Sequence, residues 1–144
     1  MKSSAIVLVM FSLLILSCKK ESVDTSEAMS CKIDGTDWIS SESFAEVALS
    51  TSVTGTDAQK LKSIDLTIEE ITKGDYPISD YTYVRYRDNL TLYEAVPGTG
   101  KISITEITDK TVSGNFNFTV KQPGKINSEK VITNGVFKNI IIEQ

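Results

Sequence analysis

The chain has 144 residues, a formal net charge of −4 and no histidine. A chain of this length forms one domain with its own core. Its acidic balance argues against nucleic acid as a partner, because that binding depends on Lys and Arg residues that neutralise phosphates. The lack of histidine excludes Ser-His-Asp and Cys-His catalytic groups and most zinc sites.

The first 17 residues have the layout of a secretory signal peptide. Lys2 is followed by an apolar run over residues 5–16 and then by the small residue Ser17. A helix that crosses a bilayer needs about 20 apolar residues, whereas this run has 12. We therefore predict that residues 1–17 are a cleaved signal peptide.

The residues at the cut, 15–18, read Ile-Leu-Ser-Cys and resemble a lipobox, at which bacterial lipoproteins are cleaved before a cysteine. The resemblance implies a diacylglycerol on the sulfur of Cys18 and, after cleavage, often a third acyl chain on its amino group. Two or more chains anchor a protein stably, whereas one binds only marginally. The alternative is an ordinary signal peptide with a cysteine there by chance.

The residues after the cut divide into a tether and a domain. Residues 18–28 are polar and charged, which predicts a lipidated, flexible tether. Residues 29–144 are predicted to form a single domain. If Cys18 is lipidated, Cys31 has no partner in the chain, and its place in an apolar alternation predicts a buried thiol rather than a reactive one.

Alternating polarity predicts strands through the first half of this domain. Residues 29–33 alternate, and Asp34-Gly35 after them is a cue for a type I′ hairpin turn. Residues 43–49 fit either a strand or a short helix that begins with a capping box, and the alternation favours the strand. Residues 52–60 are polar and predict an exposed loop, while residues 64–68 alternate again.

The second half carries the clearest strand. In residues 111–121 one face holds apolar residues and glycine, and the other is polar. Residues 101–105 alternate before it, with a hairpin loop at 108–110. Residues 131–142 are rich in β-branched residues and are interrupted by Asn134-Gly135, a turn or bulge signal. The whole pattern predicts an all-β domain of eight to ten mainly antiparallel strands, either a β-sandwich or a small closed barrel.

The domain resembles small lipoproteins of unknown function that are common in Bacteroidota. Such domains open with Ile-Asp/Asn-Gly-x-x-Trp and close with a Gly-Phe hairpin. The resemblance covers nearly all of residues 29–142 and implies a location and a fold class, but no activity. The segments that carry it are Ile-Asp-Gly-Thr-Asp-Trp at 33–38, Gly-Asp-Tyr-Pro-Ile at 74–78, Gly-Lys-Ile-Ser-Ile at 100–104, Val-Ser-Gly-Asn-Phe-Asn-Phe at 112–118 and Ile-Thr-Asn-Gly-Val-Phe at 132–137.

Acidic residues are the only candidates for catalysis or metal binding. A carboxylate pair for glycoside cleavage would come from a group around one turn, and nothing in the sequence fixes two of its members across a cleft. A calcium site from a second group lacks the spacing of a calcium-binding hand. We therefore predict no catalytic residue, no metal and no cofactor. The two groups are Glu69, Glu70, Asp75 and Asp80, and Asp34, Asp37 and Asp57.

The best candidate for a binding site is aromatic. If Val84 and Tyr86 face the core, then Tyr81, Tyr83 and Arg85 face outward, and exposed tyrosines suit a glycan, a peptide or an envelope protein. The competing interpretation is cross-strand packing in which Arg stems cover the rings.

Taken together, the sequence predicts a non-enzymatic binding or accessory module that is lipid-anchored at the outer membrane, on the periplasmic or the cell-surface side. A β-barrel carrier or inhibitor of a small ligand or protein is the first alternative. A hydrolase built on carboxylates is the second.

Overall fold

A computed structural model describes residues 28–143, so the signal peptide and nearly all of the tether lie outside the described residues. Within that range every regular element is a β-strand, which confirms the all-β class. There are eleven strands rather than the eight to ten expected. They are β1 Ala28–Ile33, β2 Thr36–Ile39, β3 Glu42–Val47, β4 Thr51–Thr56, β5 Lys62–Ile68, β6 Gly74–Pro77, β7 Tyr83–Asp88, β8 Thr91–Ala95, β9 Lys101–Ile107, β10 Thr111–Lys121 and β11 Glu129–Glu143.

The strands form one mixed sheet in the order β2-β1-β11-β3-β4-β5-β7-β8-β10-β9-β6, with a further pairing between β10 and β11. That pairing makes the neighbours from β11 through β3, β4, β5, β7 and β8 to β10 a closed cycle of seven strands. All pairings are antiparallel except the short one between β11 and β3. The sequence left sandwich and closed barrel open, and the structure shows a single sheet that surrounds one core.

The predicted hairpins are present. Asp34 and Gly35 have φ angles of 51° and 81°, as a type I′ turn requires, and they join β1 to β2. The alternation in residues 43–47 belongs to strand β3, not to a helix. Residues 52–60 were predicted as a loop, and this was wrong for the first part, because β4 runs over Thr51–Thr56. Thr51, Val53 and Gly55 of this strand face the core, while Ser52, Thr54 and Thr56 alternate with them and are only partly buried.

The core of the closing strands rests on a reciprocal arrangement of glycine and phenylalanine. In the β10–β11 register Gly114 lies opposite Phe137, and Phe116 lies opposite Gly135. A Cβ atom at either glycine would overlap the ring opposite, and at Gly114 it would also overlap the backbone oxygen of Ser103. The two rings are 6.3 Å apart between centroids. The Gly-x-Phe pattern therefore occurs on both strands because each ring fills the space that a missing side chain leaves.

Strand β11 is bent by two bulges. Its pairing with β10 shifts register on the β11 side near Asn134 and again near Asn139. Both asparagines have φ near 52°, the left-handed conformation that an extra residue in a bulge adopts and that asparagine tolerates. The Asn134-Gly135 signal is therefore a bulge within one 15-residue strand. These bends let β11 contact β1 and β3 on one edge and β10 on the other.

No helix in the described range, 28–143, is long and apolar enough to cross a membrane.

Candidate functional site

The aromatic face lies on β7 and in the turn that precedes it. Strand β7 begins at Tyr83, so Tyr81 belongs to the turn, where its backbone N–H is bonded to the Ser79 hydroxyl at 3.2 Å. Tyr81 is 71 % exposed, whereas Val84 and Tyr86 are fully buried. Arg85 is exposed and Tyr83 is half-buried. The three predicted residues thus lie along one stretch, but only Tyr83 and Arg85 share a strand.

Tyr83 and Arg85 are joined to each other and to the neighbouring strand. The Tyr83 hydroxyl donates to Glu94 Oε1 at 2.7 Å, and Arg85 Nε donates to the same hydroxyl at 2.8 Å. The Arg85 guanidinium carbon lies 4.8 Å from the centre of the Tyr83 ring. In register, Arg85 stands between Asp65 on β5 and Glu94 on β8. The arginine therefore covers one tyrosine ring, and its guanidinium is held in one place on the outer face of the sheet.

The electrostatics of this group agree with the geometry. Burial, and then the neighbouring Glu94, raise the pKa of Tyr83, which keeps its hydroxyl protonated as a donor. The hydrogen bond to Tyr83 raises the pKa of Arg85, with smaller contributions from Glu94 and Asp65. A fixed guanidinium beside a half-buried tyrosine can bind a carboxylate, a hydroxyl or a backbone carbonyl of a partner without first losing much side-chain freedom.

A second concave surface, which we call the hairpin cleft, lies between the β1–β2 hairpin and the nearby ends of β5, β7 and β11. Its volume is about 210 Å³, and its walls include Trp38, Lys62, Tyr86, Asp88 and Lys130. It forms at one end of the strand cycle because β1 and β7 finish there, while β5 and β11 begin there. The Ile-Asp-Gly-Thr-Asp-Trp motif of the hairpin thus supplies most of one wall.

The hairpin is fixed to β11 by Asp34. One carboxylate oxygen of Asp34 accepts the backbone N–H of Val131 at 2.8 Å, and the other accepts Lys130 Nζ at 3.3 Å. Lys130 Nζ also lies 5.6 Å from the centre of the Tyr93 ring. Asp37, further along the hairpin, accepts Lys32 Nζ at 2.6 Å. These aspartates have local structural partners, so the sequence alternative of a calcium site at Asp34, Asp37 and Asp57 gains no support from the contacts.

Two buried titratable groups of the core, Cys31 and Tyr86, have raised pKa values. Burial raises the pKa of the Cys31 thiol to about 12, so this 5 %-exposed cysteine is the buried thiol that was predicted. Burial, followed by the charge of Asp88, raises the pKa of Tyr86. The Nε1 atom of Trp38 is buried and has no hydrogen-bond partner among the described residues. A buried donor of this kind is uncommon, since nearly all such groups are paired.

The acidic residues considered for catalysis do not converge. Asp75 accepts Lys101 Nζ at 2.5 Å and the Ser103 hydroxyl at 2.6 Å, and these hydrogen bonds lower its pKa. Glu69, Glu70 and Asp80 are exposed. Among residues 28–143 no group of three His, Cys, Asp or Glu side chains is placed to hold a metal ion.

Several residues of these two surfaces gave no sequence signal. Glu94 joins the β7 face only through the β7–β8 register, and Lys62 and Lys130 meet at the cleft from strands far apart in the chain. The Trp38 position, in contrast, was visible in the hairpin motif.

A protein-family model described as Domain of unknown function (DUF6252) matches residues 25–141. Neither the curated proteins nor the solved structures that were compared give a match.

Proposed function

The chain belongs to the DUF6252 family, and we propose that it acts as a lipid-anchored, non-enzymatic binding or accessory module at the bacterial outer membrane. The observation that carries the proposal is the Ile-Leu-Ser-Cys sequence at 15–18, directly after a short apolar run. Three features coincide there: a charged start, a core too short to span a bilayer, and a small residue before a cysteine.

The distance between anchor and domain supports a role at the membrane surface. Strand β1 begins at Ala28, ten residues after Cys18, and ten extended residues span at most about 35 Å. An acylated Cys18 would therefore keep the domain close to the bilayer. A binding module benefits from this arrangement, because confinement raises its effective concentration toward other envelope components.

The interaction surface in this proposal is the face formed by Tyr81, Tyr83 and Arg85. Tyr and Arg are the residue types in which interface energy concentrates. Arg85 is exposed but already fixed by Tyr83, so ordering it on binding costs little. A glycan, an extended peptide or an envelope protein each offers the hydroxyl, carbonyl or carboxylate groups that such a surface recognises.

The carboxylate hydrolase is the weaker alternative. A general acid of a glycosidase needs a raised pKa, whereas the pKa of Asp75 is lowered by its bonds to Lys101 and Ser103.

Metabolic labelling with a fatty acid tests the anchoring directly. The wild-type chain should incorporate label and move to the membrane fraction. The Cys18→Ala chain should lose both the label and the lipoprotein-specific cleavage, because the acylated sulfur is what the processing enzyme recognises. Ser17→Ala, which keeps a small residue before the cysteine, is the matched control and should be labelled normally. Label on the Cys18→Ala chain would contradict the proposal.

A further inference from the structure

The outer face of the sheet carries an area of small polar side chains next to the β7 aromatic face. Along β4 and β5 the partly buried residues alternate with fully buried ones, so the partly buried set lies on the outside of the sheet. The register places the outward residues of the two strands directly opposite one another. We call this area the hydroxyl strip, and it consists of Ser52, Thr54, Thr56, Ser63, Asp65 and Thr67.

At the edge of the strip a carboxylate and a guanidinium are neighbours but are not paired. Asp65 on β5 stands opposite Arg85 on β7 in register. The guanidinium is held on the other side instead, because Arg85 Nε donates to the Tyr83 hydroxyl at 2.8 Å. Within residues 28–143 the Asp65 carboxylate makes no hydrogen bond or ion pair, and the two terminal nitrogens of Arg85 make none either. A charged acceptor and charged donors thus stand side by side without using each other.

The strip offers little to most other classes of partner. An apolar surface would desolvate its hydroxyl groups without replacing their hydrogen bonds. A peptide that adds a strand needs an unpaired sheet edge, whereas β4 and β5 are each paired on both sides. An acidic polymer would be repelled by Asp65 and by the carboxylates on either side of the strip, Glu46 and Glu94. A neutral partner rich in hydroxyl groups meets none of these objections.

We infer that the hydroxyl strip binds a neutral oligosaccharide, with Asp65 and Arg85 holding two adjacent hydroxyl groups of one sugar. Asp65 accepts from one hydroxyl and Arg85 donates to its neighbour, and both hydrogen bonds are charge-assisted. The serine and threonine hydroxyls of the strip donate to and accept from further sugar hydroxyls. The inference rests on the proposed function, because Arg85 belongs to the proposed interaction surface, and it narrows the partner of that surface to one class.

Phe44 gives the strip an aromatic border on the side away from Arg85. It is half-buried on β3, opposite Thr54 on β4, and it alternates with the buried Ala45. Neighbouring strands lie about 4.8 Å apart, so the three spacings from β3 to β7 amount to about 14 Å. This is the length of a trisaccharide. One end of such a chain can place the C–H face of a sugar on the Phe44 ring while the other end reaches Arg85.

Calorimetric titration of the full-length protein, in a detergent without a sugar headgroup and at physiological salt, tests the inference. The probes are cellotetraose, maltotetraose and β-1,4-mannotetraose, which all keep adjacent 2- and 3-hydroxyl groups. Chitotetraose is the matched control, because it has the linkage of cellotetraose but an acetamido group in place of each 2-hydroxyl. We expect saturable binding of at least one probe, and binding of chitotetraose that is about tenfold weaker or worse, the effect of one charge-assisted hydrogen bond.

Variants at two aspartates separate recognition from general charge. Asp65→Asn keeps the shape of the side chain but removes its charge, so it should weaken binding of the best probe about tenfold or more. Asp109→Asn is the matched control, because Asp109 is exposed in the turn between β9 and β10, away from the strip. This variant should bind the probe as the wild type does.

The inference is overturned if none of the three probes binds, or if chitotetraose binds as tightly as the best of them. It is also overturned if Asp65→Asn binds as the wild type does, or if tetralysine, a basic peptide that Asp65 could attract, binds more tightly than every probe. If no probe binds while a photoreactive residue at position 81 crosslinks to a protein in cells, this inference fails and the proposed function stands.

Discussion

Glycine and aromatic residues occur together both in the closing strand pair, β10 and β11, and at the hairpin cleft. In the first region the space between them is closed, and in the second it is open. In β10 and β11, the rings of Phe137 and Phe116 occupy the space beside Gly114 and Gly135, where a side chain would otherwise lie. This space is therefore closed. In the hairpin, Trp38 and the residues on either side of Gly35 line an open cleft.

The two regions differ in whether every buried group has a packing or hydrogen-bond partner. Around the closing pair, Phe116, Phe118 and Phe137 are at most 2 % exposed and stacked on one another. At the cleft, the buried Nε1–H of Trp38 has no hydrogen-bond partner among the described residues. Stability is therefore expected to concentrate in the first region, which mutations can test.

The largest expected effect comes from the centre of the closing pair. Phe118 is 2 % exposed, so Phe118→Ala should lower the free energy of unfolding by roughly 3–5 kcal/mol through lost burial and a cavity. Asn117→Ala, one residue along on the exposed face, should change it by no more than about 0.5 kcal/mol. Urea unfolding of both variants checks this. Equal losses would show that the packed face has been assigned incorrectly.

A slightly smaller loss is expected from adding one methyl group at Gly114. The new Cβ would overlap the backbone oxygen of Ser103 as well as the Phe137 ring, so Gly114→Ala should cost about 3 kcal/mol by overpacking. At Gly135 the nearest atoms all belong to the Phe116 ring, and a ring can shift, so Gly135→Ala should cost less. Thermal unfolding ranks the two. If Gly114→Ala unfolds at the same temperature as the wild type, the packing of each phenylalanine ring beside the opposite glycine does not stabilise this strand pair.

The smallest effect is expected from the charged contacts at the sheet edge next to the closing pair. Bonds from Lys101 and Ser103 lower the pKa of Asp75 below its ordinary value of 3.8. A lowered pKa contributes stability that is fully present above pH 3.8 and is lost as the pH falls through the folded-state pKa.

Urea unfolding over a pH series measures this contribution. Wild type should be slightly more stable than Asp75→Asn at neutral pH, and the difference should shrink as the pH falls below 3.8. Because Asp75 is exposed, the difference should be small at every pH. A gap that persists unchanged in acid would show that the variant acts by some means other than charge.

The fold was predictable where one local rule decided the structure. Strand β10 covers the predicted residues 111–121 because strict alternation allows one buried face. The Asp34-Gly35 turn and the Asn134 bulge follow from residues that tolerate positive φ. Strand β4 was missed because serine, threonine and glycine are typical of loops. A Cβ at position 55 would come too close to the Met29 side chain. This packing constraint explains why a glycine stands within the strand, and only the folded chain shows it.

The sites were predictable only in part, for a related reason. Alternation placed Tyr83 and Arg85 on one face, and the hairpin motif marked Trp38. The pairing of Tyr83 with Glu94, and the convergence of Lys62 and Lys130 on the cleft, depend on strand register over long distances in sequence. Register is set by the whole sheet, so no local pattern contains it.

The proposal that the protein binds through the Tyr81, Tyr83 and Arg85 face is tested most directly by photo-crosslinking in intact cells. The photoreactive residue p-benzoylphenylalanine replaces Tyr81, whose ring is 71 % exposed, and in a matched strain it replaces the exposed Asn117 on β10. We expect a discrete crosslinked product from position 81 that is absent from position 117. No product at position 81, or the same products from both positions, would contradict it.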